Sequence, residues 1–228
     1  MLKLIALILM TVDHVAFVFV PTDSALYFLM RTIGRTVAPV VMCLFISEGF
    51  HYTRNRLKYL LRMAAFAVIA QPFYFMMIFG RLPINAAEFL TYWNVLYTFC
   101  VSILILMVIT NAKINIGLKV FITAFCFILS LLGDWGLFIP VWVLIFHFCR
   151  DIPFKRKAAV FTVVTAFMIV FFSLSFFQYG VLFSVIPLYL YNGKRGGEKL
   201  SPMVSKWAVY LYYPAHMAAI VAVKFLLN

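Results

Sequence analysis

LIALILMTVDHVAFVFV, residues 4–20, decides the fold: apart from Thr11, Asp13 and His14, every residue in it is apolar. A surface helix of a soluble protein keeps one apolar stripe, whereas a stretch hydrophobic on all sides belongs in a large core or a bilayer. An aspartate at the bilayer centre costs ~2.5–3.5 kcal/mol on insertion scales, so intramembrane ionisable residues read by default as functional. Asp13 and His14 lie nine and ten positions past Leu4, about 15 Å along a helix and near mid-depth.

The whole chain repeats this composition. Of its 228 residues 66% are hydrophobic and 11% charged, and its mean hydropathy is +1.05. A soluble domain is about half apolar and a quarter charged. The apolar residues come in continuous stretches, not in the alternating segments of about ten residues that build a membrane barrel. The expected class is therefore all-α, a polytopic membrane bundle forming one domain over residues 1–228. Lys3 precedes the first run as in a signal peptide, but no small-residue cleavage site follows, so a retained helix is expected. Cys43, Cys100, Cys126 and Cys149 fall in or at the ends of apolar runs, as small buried hydrophobes do.

Nine apolar segments can be marked: 4–20, 33–50, 59–79, 95–109, 118–132, 137–149, 158–177, 181–191 and 207–227. A span needs roughly 20 residues, so the short sixth and eighth segments leave the count at eight or nine. With a cytoplasmic N-terminus and nine crossings, only Arg31, Arg35, Arg81 and Lys224 of the 19 basic residues fall outside. That is the positive-inside pattern, and it accounts for the net charge of +12 without a nucleic acid partner. The polar stretch NGKRGGEKLSP (192–202) reads as the longest soluble loop.

Polar residues inside the segments carry the remaining information. Asp13-His14 reads either as a helix–helix hydrogen-bonding pair or as ionisable groups lining a cavity. Neighbours on a helix point about 100° apart, so the two are expected to face different partners. His216 lies nine residues past Trp207 and Gln71 near the middle of the third segment. Glu48 and His51 are three apart and share a helix face. GRTVAP (34–39) reads as a helix start with Thr36 as its cap and Arg35 at the outer headgroups. EGFHYTRNRLKYLLR (48–62) is either a cytosolic basic loop or a phosphate clamp of Arg54, Arg56, Lys58 and Arg62 beside His51. YLYYPAH (210–216) is either a kinked helix with a satisfied histidine or a cavity wall. His14, His51, His147 and His216 are not spaced as ligands on one helix, and no metal is expected.

Together these pieces resemble a known family. Asp-His in the first segment, Gly-Arg followed by a proline, EGFHYTRN with KYLLR, QPF, NVLYT (94–98) and YLYYPAH occur in an order similar to that of the TraX family. That family is named for a membrane protein that N-acetylates pilin, and it is similar to the wider group of membrane acyltransferases that modify envelope glycans and lipids. The wider group has a basic residue ahead of a first-span histidine with ten residues between them, as Lys3 and His14 have here. No stretch of these 228 residues resembles the group's large extracytoplasmic additions.

The resemblance implies an acyltransferase of the cell (inner) membrane that uses acetyl-CoA as co-substrate. His14 would be its general base or acyl relay, with Asp13 and His216 beside it. His216 or Arg35 would stabilise an oxyanion. The acyl-CoA donor would be held by Lys3, Glu48, His51, Arg54, Arg56, Lys58 and Arg62. Arg35, Gln71, Asn94 and Tyr213 would meet the acceptor: a membrane lipid, an envelope glycan or a pilin-like peptide. Two other readings stay open. One is a proton-coupled transporter with a path through Asp13, His14, Glu48 and His216; the other is an assembly scaffold.

Overall fold

A computed structural model describes residues 2–172, 176–191 and 202–227. Among them every regular element is helical: α1 (Leu2–Phe19), α2 (Ala25–Tyr52), α3 (Arg56–Phe79), α4 (Ala86–Thr91), α5 (Val95–Ile109), α6 (Ile116–Ser130), α7 (Phe138–Phe148), α8 (Phe154–Phe171), α9 (Val185–Tyr189) and α10 (Pro202–Leu227), with a 3-10 segment, Phe176–Ser184, before α9. Among the described residues, four helical stretches are long and apolar enough to cross a membrane: Leu2–Phe19, Ala25–Tyr52, Arg56–Phe79 and Val209–Leu227. At 15, 15 and 11 residues, α5, α6 and α7 are shorter than the roughly 20 that a span needs.

The helices start and stop on local chemistry that apolar runs do not display. Asn55, Asn85, Asn94 and Asn115 each cap a helix, accepting the backbone N–H of Lys58, Glu88, Leu96 and Leu118 at 2.8–3.0 Å, which satisfies donors that the first turn would leave unpaired. Gly80 ends α3 in the left-handed region, φ 70°, a conformation glycine adopts without steric cost.

α2 corrects the expected boundaries. It begins at Ala25, eight residues before the apolar run, because Ser24 Oγ accepts the N–H of Tyr27 at 3.0 Å. Thr36 is therefore inside the helix and not its cap, and Arg31, expected in an outer loop, is a buried helical residue. The eighth segment also differs, since its first part is 3-10. Loop residues 192–201, with Lys194, Arg195 and Lys199, lie outside the described residues.

The chain divides into two compact units, the boundary falling inside α2: Met1–Met42 with Cys149–Asn228, and Cys43–Phe148. In the first, α1 packs along α10, and α8 packs on the 3-10 segment and α9; Ala16, Val40, Phe161, Ile169 and Met217 are fully buried. In the second, α5 is central and packs on α3, α6 and α7 around the buried Phe75, Ile103, Ile105, Leu106, Ile139 and Trp142. All four cysteines are buried free thiols.

Candidate functional site

The first unit gathers the ionisable residues of α1, α2 and α10. One turn of α1 presents Thr11, Asp13 and His14 in different directions. Asp13 is buried and pairs with Arg31 of α2, Oδ1 to Nη1 at 2.8 Å. The Arg31 guanidinium also lies 5.3 Å from the Phe17 ring centre and 5.8 Å from that of Tyr27, so aromatic faces share its charge. Gly34, one turn further along α2, lets the helices touch. A Cβ there would stand 2.6 Å from Asp13 Cβ and 2.8 Å from its Cα, closer than real atoms approach.

His14 meets α10. Its Nδ1 lies 2.8 Å from Nε2 of His216. The ring planes differ by 8° and the centroids are 5.0 Å apart, much farther than the bonded nitrogens, so the rings meet edge to edge. His216 Nδ1 lies 2.9 Å from the carbonyl oxygen of Tyr212, one turn back. A second bond runs alongside: the Thr11 hydroxyl donates to Leu7 O at 3.0 Å and accepts from the Tyr212 hydroxyl at 2.7 Å. Tyr213 is buried, its ring 5.6 Å from that of His216. Arg31 and Arg35 both come near enough to His14 to act on it electrostatically.

Of the expected site residues, this unit brings together Asp13, His14, Arg35, Tyr213 and His216. Lys3 is exposed in the first turn of α1, about 16 Å of helix from His14. Composition gave no reason to single out Arg31, Gly34, Thr11 or Tyr212. The usable signal was spacing, because Arg31 and Arg35 are one turn apart, as are Tyr212 and His216.

The remaining expected residues belong to the second unit. Glu48 and His51 are in the last turns of α2, Arg54 is in the following loop, and Arg56, Lys58 and Arg62 begin α3. The Arg56 guanidinium covers the Phe50 ring at 4.3 Å and donates to Thr110 Oγ1 at 3.0 Å. This joins the α2–α3 loop to the end of α5, close in sequence to Lys113 and Lys119. Gln71 and Asn94 are fully buried and bonded to one another. Asn94 Nδ2 donates to Gln71 Oε1 and to Ala67 O, both at 2.8 Å, and Gln71 Nε2 donates to Tyr92 O at 2.6 Å. Here they tie the start of α5 to the middle of α3.

Beyond α3, Arg81 forms a fork with Glu88, one arm at 3.0 Å, and Glu88 accepts the N–H of Ile84 at 2.7 Å. The guanidinium and that backbone bond hold the Glu88 carboxyl down at about 2.

These features define a class: an all-helical protein with several membrane-length apolar helices and a buried ion pair beside a histidine pair. The chain belongs to the TraX family, whose model, described as TraX protein, matches residues 1–224. It is also similar to the probable fimbrial assembly protein FimC, serogroup H1, of Dichelobacter nodosus. That relative is 32% identical over 243 residues, which cover 100% of this chain and 96% of the relative. No solved structure matches the chain.

Proposed function

We propose that this chain is an acyltransferase of the cytoplasmic membrane acting in pilus or fimbrial assembly. It moves an acetyl group from cytosolic acetyl-CoA to an amine or hydroxyl of a membrane-held acceptor, such as a pilin-like peptide, a lipid or a glycan. The observation that carries this reading is the bonded chain from Tyr212 O through His216 to His14, which leaves a basic imidazole nitrogen on His14 among polar groups on three helices. Kinship with a protein named for fimbrial assembly supports the pathway, and the family resemblance supports the chemistry.

In this reading His14 takes the acceptor proton as the amine or hydroxyl attacks the thioester carbonyl. The tetrahedral intermediate expels the thiolate of CoA. Arg35, near His14, carries the charge that opposes the developing oxyanion. The apolar segments, eight or nine of them, cross with the N-terminus in the cytoplasm, so that Lys3 and the basic stretch 54–62 are on the cytosolic side. Arg54, Arg56, Lys58 and Arg62, with Glu48 and His51 beside them, hold the phosphates and adenosine of CoA.

Titration calorimetry of detergent-purified protein with acetyl-CoA tests the donor. Micromolar binding by wild type, lost in Arg54→Ala/Arg62→Ala and kept in His14→Ala, is expected. Folded wild-type protein that binds no acetyl-CoA but drives solute flux with a proton gradient would replace this reading by the transporter.

A further inference from the structure

We infer that the two histidines form a directed relay, in which His14 Nε2 is the base and His216 is a positioning residue that also stores the proton. The consequences for rate rest on the acyl-transfer reading; the hydrogen positions rest on the geometry.

One carbonyl fixes every hydrogen in the chain. Tyr212 O can only accept, so His216 Nδ1, 2.9 Å away, carries a hydrogen and donates it. A neutral imidazole has one N–H and one lone pair, so the lone pair of His216 is on Nε2. That nitrogen faces His14 Nδ1 at 2.8 Å and accepts from it, which leaves the lone pair of His14 on Nε2. Both rings are thus Nδ1–H tautomers, opposite to the form that free histidine favours in water. Tautomers of this kind are assigned from partners, and here the partner at the end of the chain allows one assignment.

The surrounding charges give the relay its direction. The groups facing the histidine pair are Asp13 on the helix of His14, Arg31 and Arg35 on α2, and Tyr212 and Tyr213 beside His216 on α10. Arg31 neutralises Asp13, and Arg35 adds a further positive charge, so an imidazolium on His14 sits among guanidinium groups. His216 instead aims its Nδ1–H at the negative end of a carbonyl dipole. When the acceptor proton reaches His14 Nε2, the Nδ1 proton passes to Nε2 of His216. His14 is then neutral and His216 is the imidazolium. As the C–S bond breaks, His14 Nε2–H protonates the thiolate, and His14 Nδ1 recovers its proton from His216. The sum is acceptor–H plus thioester giving acylated acceptor plus thiol. Both nitrogens of His216 are committed throughout, so the oxyanion role falls to Arg35 and not to His216.

Histidine labelled with 15N in detergent-purified protein reads the tautomers without substrate. The chain has four histidines, and long-range proton–nitrogen correlation spectra are assigned with His14→Gln and His216→Gln. Nδ1–H on both rings at neutral pH is expected. In His216→Gln the amide oxygen can still accept from His14 Nδ1–H, so His14 keeps its tautomer; in His216→Leu it reverts to Nε2–H. An Nε2–H form of His216 in the wild type would overturn the relay. In acyl transfer, His216→Gln should keep its KM for acetyl-CoA and lose about 100-fold in kcat, the scale of a lost proton-transfer group. An unchanged kcat would overturn the storage role. Correct tautomers in a wild-type protein that transfers no acyl group would remove the acyl-transfer reading and with it the storage role, and leave the hydrogen positions standing.

Discussion

Asp13 and Arg31 show how a charge is tolerated in an apolar helix. Their side chains are only 11% and 7% exposed, and each removes the other's reason to be in water. Breaking one side of such a pair costs about 3–5 kcal/mol, because the survivor stays buried and charged, whereas replacing both with apolar residues is often neutral. Asp13→Ala should therefore lower thermal stability in detergent by that amount, and Asp13→Leu/Arg31→Leu should recover most of it; an additive double variant would deny the coupling. The sequence exposed Asp13-His14 because Thr11 is the one other polar residue in the run 4–20. It also separated their directions, since adjacent helical residues point about 100° apart, and the structure gives them different partners on α2 and α10. It did not expose Arg31, which looks like a headgroup flank until α2 is known to begin at Ala25.

Two predictions belong to whole elements. Gly34 is where α2 meets the backbone of α1, and the added methyl of Gly34→Ala has no space beside Asp13. The helices must separate, at a cost of about 1–3 kcal/mol, measurable as a fall in Tm. The second concerns the turn between α3 and α4, where Arg81 holds Glu88. A carboxyl depressed to about 2 stabilises the turn at any pH above its ordinary range, and that contribution is lost as pH falls from about 4.5 through about 2. Protease cleavage of residues 81–88 should thus be insensitive to pH from 7 to 5 and rise below, and Glu88→Gln should abolish the change. Equal acid sensitivity in Glu88→Gln would place its cause elsewhere. Helix existence was legible from apolar runs, since α3 and α5 end at the residues the hydropathy marked. Several starts were not, because Ser24 and Asn55 act through single hydrogen bonds that leave no trace in hydropathy.

At the scale of the molecule, the four membrane-length helices among the described residues were readable as apolar runs, whereas the division into two units was not, because its first boundary falls within one continuous helix, α2. The short α5, α6 and α7, of 15, 15 and 11 residues, have apolar runs that build the packed core around Trp142 and are also the segments that the proposed topology has crossing. The proposed topology puts residues 110–115 in the cytosol and 133–136 outside. Single cysteines at Lys113 and Asp134, introduced after the four native ones are replaced by serine or alanine, should be labelled by impermeant reagents from opposite sides of sealed vesicles; labelling from one side would remove the nine-crossing topology.

The central claim is that His14 moves an acyl group. Its most direct measurement reconstitutes purified protein in vesicles with radiolabelled acetyl-CoA and a pilin N-terminal peptide or total membrane lipid, comparing wild type with a His14→Ala variant shown to be folded by its unfolding transition. The account predicts label transferred by wild type and at least about a 100-fold loss in the variant. Equal transfer by both proteins would contradict it.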